Sequence, residues 1–291
     1  MIPTRAEIAA LHDWLAAMGA DSALAETPTD WFAREQAGAR TAAAPHAPVA
    51  SPATSPSPRH GALPPPMATH GPPPRHVASP PRPAAVATPP DQALMAARTA
   101  ARSAPSLEAL RATLESFEGC GLRATAKQLC FYRGSARARL MLIGEAPGRD
   151  EDLAGKPFVG RAGQLLDKML AAIGLGEADV HITNVVYWRP PGNRTPTPQE
   201  AQVCHPFLER QIELVAPELL LLLGGAATKQ VLDTPEGIMR LRGKWRSFAS
   251  AGREIRVMPS LHPAYLLRTP AAKRQAWQDL LAVQAALAGG G

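Results

Sequence analysis

The chain has 291 residues, a net charge of +6, 31 prolines and three cysteines. Such a sparse, odd set of cysteines argues against a disulfide framework and suits a reducing compartment. No apolar run approaches the roughly 20 residues that span a bilayer, and acidic residues among the first apolar ones argue against a secretory signal. We therefore expect a cytoplasmic protein without membrane contact, whose positive charge suits a polyanionic partner.

Residues 1–38 are predicted to contain one short amphipathic helix. Apolar residues recur at three- and four-residue steps over residues 5–19, and Thr4 with Glu7 forms a capping box. This helix either packs back on the main domain or frays, or it docks a protein partner. The sequence favours neither alternative.

Residues 39–91 have the composition of a disordered, Pro/Ala-rich linker. Sixteen of the prolines lie between Pro45 and Pro90, and large apolar residues are almost absent there. Such a segment cannot bury enough surface to offset the entropy of ordering. We expect it to tether the N-terminal helix to a globular domain over residues 92–291.

The globular domain alternates predicted strands with predicted helices. Four mostly apolar runs are typical of strands buried on both faces of a parallel sheet: Ala138–Gly144, Val180–Val186, Leu219–Gly224 and Ile255–Pro259. Helical patterns cover Ala162–Ile173, Pro198–Val215, Ala226–Leu232 and Ala271–Leu287. This order predicts an α/β fold, a three-layer α/β/α sandwich with a central four-stranded, mostly parallel sheet.

Residues suited to ligand binding follow the predicted strand ends. They are Gly144 with Glu145, Asn184, Gly224 with Gly225, and His262. Ligands of open α/β sheets bind at the carboxyl ends of the strands, so we expect these residues to share one edge.

The segment Gly144–Gly163 carries the most specific pattern. A strand leads into a Gly/Pro turn, acidic residues follow, and Phe158 then stands between glycines. A nucleotide-binding module is the first alternative for a glycine-rich turn after a strand. However, Pro147 removes a backbone donor and no Lys-Ser/Thr pair follows, which disfavours a phosphate loop.

Taken together, the motifs resemble those of family 4 uracil-DNA glycosylases from bacteria and archaea. The resemblance covers about residues 105–285 and rests on Gly144–Gly163, Ile182–Val186, Arg189–Pro196, Leu241–Gly243 and Leu261–Arg268. It implies a monomeric DNA repair enzyme that acts on uracil-containing DNA. Such an enzyme flips the nucleotide out of the stack and hydrolyses the N-glycosidic bond, leaving an abasic site.

The resemblance assigns a pocket for the flipped base. Phe158 offers a flat face on which uracil stacks, and the Asn184 amide matches the O4 and N3–H edge of uracil. Gly144 and Ala146 bring backbone close to the base. His262 is expected to donate a hydrogen bond to uracil O2 and to stabilise the leaving group as a neutral imidazole.

The group that orients the attacking water is less clearly marked. Better-known members of the wider superfamily carry an aspartate where this chain has Ala146. We expect Asp152 to take that role, with its neighbour Glu151 as the alternative or with both merely capping the loop. Glu145 completes the expected catalytic set by shaping the pocket.

DNA contacts are expected around the last motif. Leu266, four residues after His262, would be the apolar wedge that fills the gap left by the flipped base. Arg268 and Arg242, together with Lys244, would hold phosphates. Pro147 is expected to contact DNA from the first motif.

The sequence departs from the family at its iron–sulfur site. Family 4 enzymes hold a 4Fe-4S cluster on four cysteines, and here Cys120 and Cys204 occupy two of the positions while Phe117 and Trp188 occupy the others. Cys130 is an alternative third ligand, but it falls where the family has an apolar strand residue. We therefore expect no cluster and no metal, and a hydrophobic plug made by these aromatics and the two remaining cysteines.

The sequence also allows two other functions. The chain is alternatively a glycosylase for another deaminated or mismatched base, or a damaged-DNA binder that keeps the pocket without the chemistry. Asn184 favours uracil over the first of these.

Overall fold

The computed structural model of the protein describes residues 90–289. The helix predicted over residues 5–19, the rest of residues 1–38 and nearly all of the 39–91 linker lie outside this part of the chain. None of the helices between residues 90 and 289 combines the length and apolar character that a bilayer crossing requires.

Within residues 90–289, two helices come first, and strands and helices alternate after them. The strands are β1 (Arg133–Gly134), β2 (Leu140–Gly144), β3 (Val180–Asn184), β4 (Leu219–Leu223), β5 (Arg246–Ser250) and β6 (Arg253–Ser260). The helices are α1 (Pro90–Ser103), α2 (Leu107–Ser116), α3 (Arg149–Ala154), α4 (Arg161–Ala171), α5 (Pro198–Val215), α6 (Gly225–Leu232), α7 (Ile238–Leu241), α8 (Pro263–Arg268) and α9 (Lys273–Ala288).

The strands form one mixed sheet in the order β1-β3-β2-β4-β6-β5. The four inner strands are parallel, as predicted, whereas β1 and β5 add antiparallel edges. The predicted four-stranded sheet is therefore corrected to six strands. The sequence missed both edges because β1 has only two residues and β5 is polar and largely exposed, so neither shows an apolar run.

Helices cover both faces of the inner strands. On β2, Met141 and Ile143 pack with α1, α2 and α5 on one face. Leu140 and Leu142 pack with α4, α8 and α9 on the other. Because both faces are buried, the inner strands are apolar throughout and do not alternate.

The register of the parallel strands brings their carboxyl ends to one edge. Gly144 at the end of β2 pairs with Asn184 at the end of β3. Leu223 at the end of β4 pairs with Ser260, two residues before His262. The chain leaves the sheet at this edge four times, and the loops that follow carry the predicted site.

Candidate functional site

Gly144, Phe158 and Asn184 converge at the ends of β2 and β3. A Cβ atom added at Gly144 would collide with the Phe158 ring and would lie 2.5 Å from Asn184 Oδ1. Glycine is therefore required here for a close approach rather than for an unusual backbone conformation. These three residues, with His262, are called the pocket below.

Asn184 has an unused hydrogen-bond acceptor. Its side chain is 1% exposed, and its Oδ1 atom is buried without a partner in the protein. Leaving a buried acceptor unsatisfied costs roughly 1–3 kcal/mol. A ligand that presents an N–H donor at this atom would recover that free energy.

Phe158 is held rigidly by its backbone. It has φ 54°, a left-handed conformation that is uncommon for an aromatic residue. The start of α4 packs against it so closely that a Cβ at Gly163 would overlap the Phe158 carbonyl. The ring is 5% exposed, so the loop presents it as a fixed wall of the pocket.

His262 lies beside Phe158. The two ring centroids are 5.6 Å apart with an interplanar angle of 30°. His262 caps the N-terminus of α8, where its Nδ1 accepts a hydrogen bond of 3.1 Å from the Ala264 amide. Since Nδ1 is an acceptor, the neutral ring carries its proton on Nε2, which leaves an N–H donor for a ligand.

Burial keeps His262 neutral. It lowers the pKa of the imidazole to about 4, with a smaller contribution from the nearby charge of Arg268. Gly224 packs directly against the side chain, because a Cβ there would lie 3.0 Å from His262 Cβ. The turn after β4 thus packs against the His262 side chain and excludes water from the side that faces Gly224.

Glu151 and Asp152 hold the first motif in shape. Glu151 accepts hydrogen bonds from the amides of Gly148 and Gly160, closing the loop around Phe158. Asp152 is 3% exposed, and its Oδ1 accepts from the Lys127 and Gln128 amides. Both carboxylates are occupied by backbone donors, so the expected water-orienting role of Asp152 has no support in the geometry.

Glu145 is the carboxylate closest in sequence to the pocket wall. It directly follows Gly144, and both Glu145 and Ala146 are only partly buried. Its backbone carbonyl accepts from Val186, while no hydrogen bond to its carboxylate is recorded among residues 90–289. An unengaged carboxylate beside the pocket can accept a hydrogen bond from water.

Two residues that were expected to contact DNA have buried side chains. Leu266 is 0% exposed and packs in the core beside α4 and α9, and Pro147 is also buried. The neighbouring Leu267 is 39% exposed. On a helix two adjacent leucines point in different directions, so only one of them can enter the core.

The two expected phosphate-binding arginines differ in their partners. Arg242 donates to the carboxylate of Asp279, which is 1% exposed, and to the Gln275 carbonyl at 2.6 Å. Ser260 also donates to Asp279, at 2.7 Å. Arg242 therefore ties α9 to the end of β6 and is not free for a phosphate. Arg268 is exposed at the end of α8.

The predicted plug lies in the core cluster on the α5 side of the sheet. Cys120 and Cys204 are buried with their Sγ atoms 3.9 Å apart. Trp188 is 3% exposed, and Phe117 packs edge-on against Phe207 at 5.0 Å. All four belong to the same cluster of apolar side chains.

Cys130 does not join this pair. Its thiol donates to the Glu151 carbonyl at 3.1 Å, and burial raises its pKa to about 12. In residues 90–289 no three His, Cys, Asp or Glu side chains are grouped as metal ligands. Two neighbouring thiols do not provide the four ligands that a 4Fe-4S cluster requires.

The sequence analysis missed Leu267 and the Arg242–Asp279 pair as parts of this edge, whereas it had placed Gly224 there. Leu267 could have been found from the helical period after the His262-Pro263 start, since it falls off the core-facing stripe. Asp279 gave no signal because it lies inside an apolar helical pattern.

Comparison with known proteins gives a consistent match. The model of the uracil DNA glycosylase superfamily matches residues 131–281. A type-4 uracil-DNA glycosylase from Archaeoglobus fulgidus is 40% identical over 164 residues, which are 55% of this chain and 82% of that protein. One from Pyrobaculum aerophilum is 37% identical over 171 residues, 57% of this chain and 87% of that protein. A type-5 uracil-DNA glycosylase from Mycobacterium bovis is 31% identical over 150 residues, 45% of this chain and 56% of that protein.

Proposed function

The chain belongs to the uracil-DNA glycosylase superfamily and removes uracil from DNA, and we propose that its pocket carries this reaction. The observation that supports the proposal most directly is the buried, unpaired Oδ1 of Asn184. Uracil offers an N3–H donor, which would satisfy this acceptor, while the Asn184 amide donates to uracil O4. Cytosine has no N–H at N3 and presents an amino donor at C4, so it opposes Asn184 at both positions.

Phe158 positions the flipped base between Asn184 and His262. Its ring is fixed by the left-handed backbone and by α4, so it loses little conformational entropy on binding. Uracil stacked on this ring would place its O4 and N3–H edge toward Asn184 and its O2 toward His262.

His262 stabilises the leaving group. In hydrolysis the bond between C1′ and N1 breaks, and its electron pair passes to the uracil ring, where it spreads onto O2 and O4. Water adds to C1′, and the proton that it loses ends on the departing uracil anion, so the products are an abasic sugar and free uracil. The Nε2–H of neutral His262 donates to O2 as negative charge develops there, an interaction worth about 10²–10³ in rate for donors of this kind.

Glu145 replaces Asp152 in our assignment of the water-orienting group. Asp152 is engaged by two backbone amides, whereas the Glu145 carboxylate has no recorded partner among the described residues and lies next to Gly144. Gly144 and Ala146 supply the close backbone of the same turn. Glu145 thus accepts a hydrogen bond from the water that attacks C1′.

Leu267 replaces Leu266 as the wedge, and Arg268 is the phosphate contact. Leu267 is the exposed member of the leucine pair and lies five residues after His262. An exposed apolar side chain beside the pocket fits the space that a flipped nucleotide leaves. Arg268 follows immediately and supplies a cation for the adjacent phosphate.

We further propose that the enzyme works without an iron–sulfur cluster. Phe117 and Trp188 cannot ligate iron, and the side chains around Cys120 and Cys204 are apolar and packed. The hydrophobic plug takes over the packing that a cluster would supply. Stoichiometric iron, with the visible absorbance of a cluster, in protein purified without oxygen would contradict this assignment.

We place the catalytic domain at residues 92–291, because the proposed site residues lie within residues 144–268 and the family match covers 131–281. A fragment of residues 90–291 keeps α1, which packs on α5. It should release uracil at a rate within about twofold of the full chain. A much larger loss, in a fragment that melts like the full chain, would assign residues 1–89 a part in the reaction.

The experiment that tests the function uses oligonucleotides with one uracil, thymine or deaminated purine at the same position. After incubation with the full chain, alkali should cleave only the uracil strand, at the position of the uracil. Cleavage at another base indicates a different specificity. Tight binding of uracil-DNA without base release indicates a binding protein.

A further inference from the structure

Four large apolar side chains are exposed among residues 90–289: Met95, Leu153, Met239 and Leu267. Three of them follow strands of the inner sheet, and Met95 does not. Leu153 lies on α3, which follows β2, Met239 on α7, which follows β4 and α6, and Leu267 on α8, which follows β6. A single exposed apolar residue is ordinary, but Leu153, Met239 and Leu267 all lie on segments that follow parallel strands at their carboxyl ends.

The segment Pro235–Arg240, called the α7 arm, is anchored beside the pocket. Ile238 points inward, since a Cβ at Gly225 would lie 3.7 Å from its Cβ. Leu241, three residues later, is 2% exposed. Gly225 directly follows Gly224, which packs against His262. The α7 arm therefore contacts the same turn, Gly224 and Gly225, that packs against His262.

Hydrogen bonds of the two residues after Leu241 hold the C-terminal end of the α7 arm in place. The Arg242 amide donates to the Ile238 carbonyl at 2.8 Å, and the Gly243 amide donates to the Pro259 carbonyl at 3.0 Å. The Arg242 side chain is held by Asp279. With Ile238 and Leu241 directed inward, the helical geometry directs Met239 and Arg240 outward, and Met239 is 58% exposed.

The charge of this surface suits a nucleic acid. Arg240 and Lys244 are both exposed, and no ion pair is recorded for either among residues 90–289. Glu236 is the one acid within the α7 arm. These two cations, which both follow Met239 in the sequence, provide phosphate contacts next to an apolar contact.

We propose that the α7 arm is a second DNA-contacting element, in which Met239 packs against the sugar and base beside the flipped nucleotide and Arg240 holds the adjoining phosphate. This inference rests on the proposed function, because the DNA must be bound with its uracil in the pocket. Methionine suits the task since its flexible, polarizable side chain adapts to different neighbouring bases. Leu267 approaches the DNA from α8, and Met239 approaches it from α7.

Met239→Ala tests the apolar contact, and Met95→Ala is its matched control, because Met95 is 60% exposed on α1, away from the β4 and β6 ends. Met239→Ala should weaken binding to uracil-DNA by about tenfold, the loss expected when a methionine is no longer buried on binding. Met95→Ala should bind like the unmodified chain. Inhibition by free uracil base should be unchanged in both variants, because the pocket is intact.

Arg240→Ala tests the phosphate contact by its salt dependence. The slope of log affinity against log salt should fall by about one in magnitude, and Arg240→Lys should restore it. This readout keeps the proposal testable even if Met239→Ala lowers the melting temperature. If Met239→Ala binds like Met95→Ala, or the salt slope of Arg240→Ala is unchanged, the α7 arm does not contact DNA. If the unmodified chain releases no uracil, the proposed function itself fails.

Discussion

The pocket and the hydrophobic plug differ in whether their buried polar atoms have partners in the protein. In the pocket, apolar walls surround Asn184 Oδ1, which has no partner, and a histidine whose Nε2 donor is unused. In the plug, Trp188 and Phe117 pack with two thiols that contact each other. The pocket contains polar atoms whose hydrogen bonds only a ligand can complete, whereas the plug contains no such atom.

The largest expected effect follows from removing the leaving-group donor. His262→Ala should lower single-turnover uracil release by about 10²–10³, because the donor to O2 is lost. Its melting temperature should change little, since the lost α8 cap is worth only about 1 kcal/mol.

His205→Ala is the matched control for this variant. His205 lies on α5, partly exposed and paired with Glu209, away from the strand ends. Its rate should equal that of the unmodified chain. Unchanged turnover in His262→Ala would refute the assigned role.

Asn184→Leu should affect uracil recognition and protein stability in opposite directions. The change should lower kcat/KM for uracil by about 10², because both hydrogen bonds to the base edge are lost. Removing a buried, unpaired acceptor should also leave the free energy of unfolding unchanged or raise it by about 1 kcal/mol. Denaturant unfolding and uracil release measured on the same preparation check both. A variant that loses activity only in proportion to lost stability would show that Asn184 acts structurally.

Trp188→Ala should show the reverse behaviour. Truncating this buried ring should cost about 3–5 kcal/mol of stability, while uracil release by the remaining folded fraction stays near normal because no pocket residue is touched. Trp245→Ala is the control. That ring is only partly buried and packs under the Arg256 guanidinium at 4.1 Å, so its loss should cost less. Equal costs for the two tryptophans would contradict the plug.

The inner sheet and the pocket could be predicted from the sequence because their signals are local. Buried parallel strands are continuous apolar runs, and Gly144, Phe158, Asn184 and His262 follow them in recognisable motifs. The edge strands and the roles of Leu266, Asp152 and Arg242 could not be predicted, since they depend on which partner each side chain meets. Asp152 meets amides 24 and 25 residues away, and Arg242 meets Asp279, 37 residues away. No spacing rule encodes such pairs.

The smallest expected effect is that of pH on the catalytic step. Burial lowers the pKa of His262 to about 4, so the ring stays neutral and the Ala264 cap persists between about pH 8 and pH 5.5. The rate at saturating DNA should therefore not change with an apparent pKa near 6.5. Such a titration in the unmodified chain, if His262→Ala abolished it, would contradict the assignment. Stability should behave differently, because burial also lowers the pKa of His181 to about 4. As the pH falls from 6.5 toward 4, these histidines bind protons in the unfolded chain before they do so in the folded one. The free energy of unfolding should therefore decrease over that window, with a slope against pH that corresponds to the uptake of up to about two protons on unfolding.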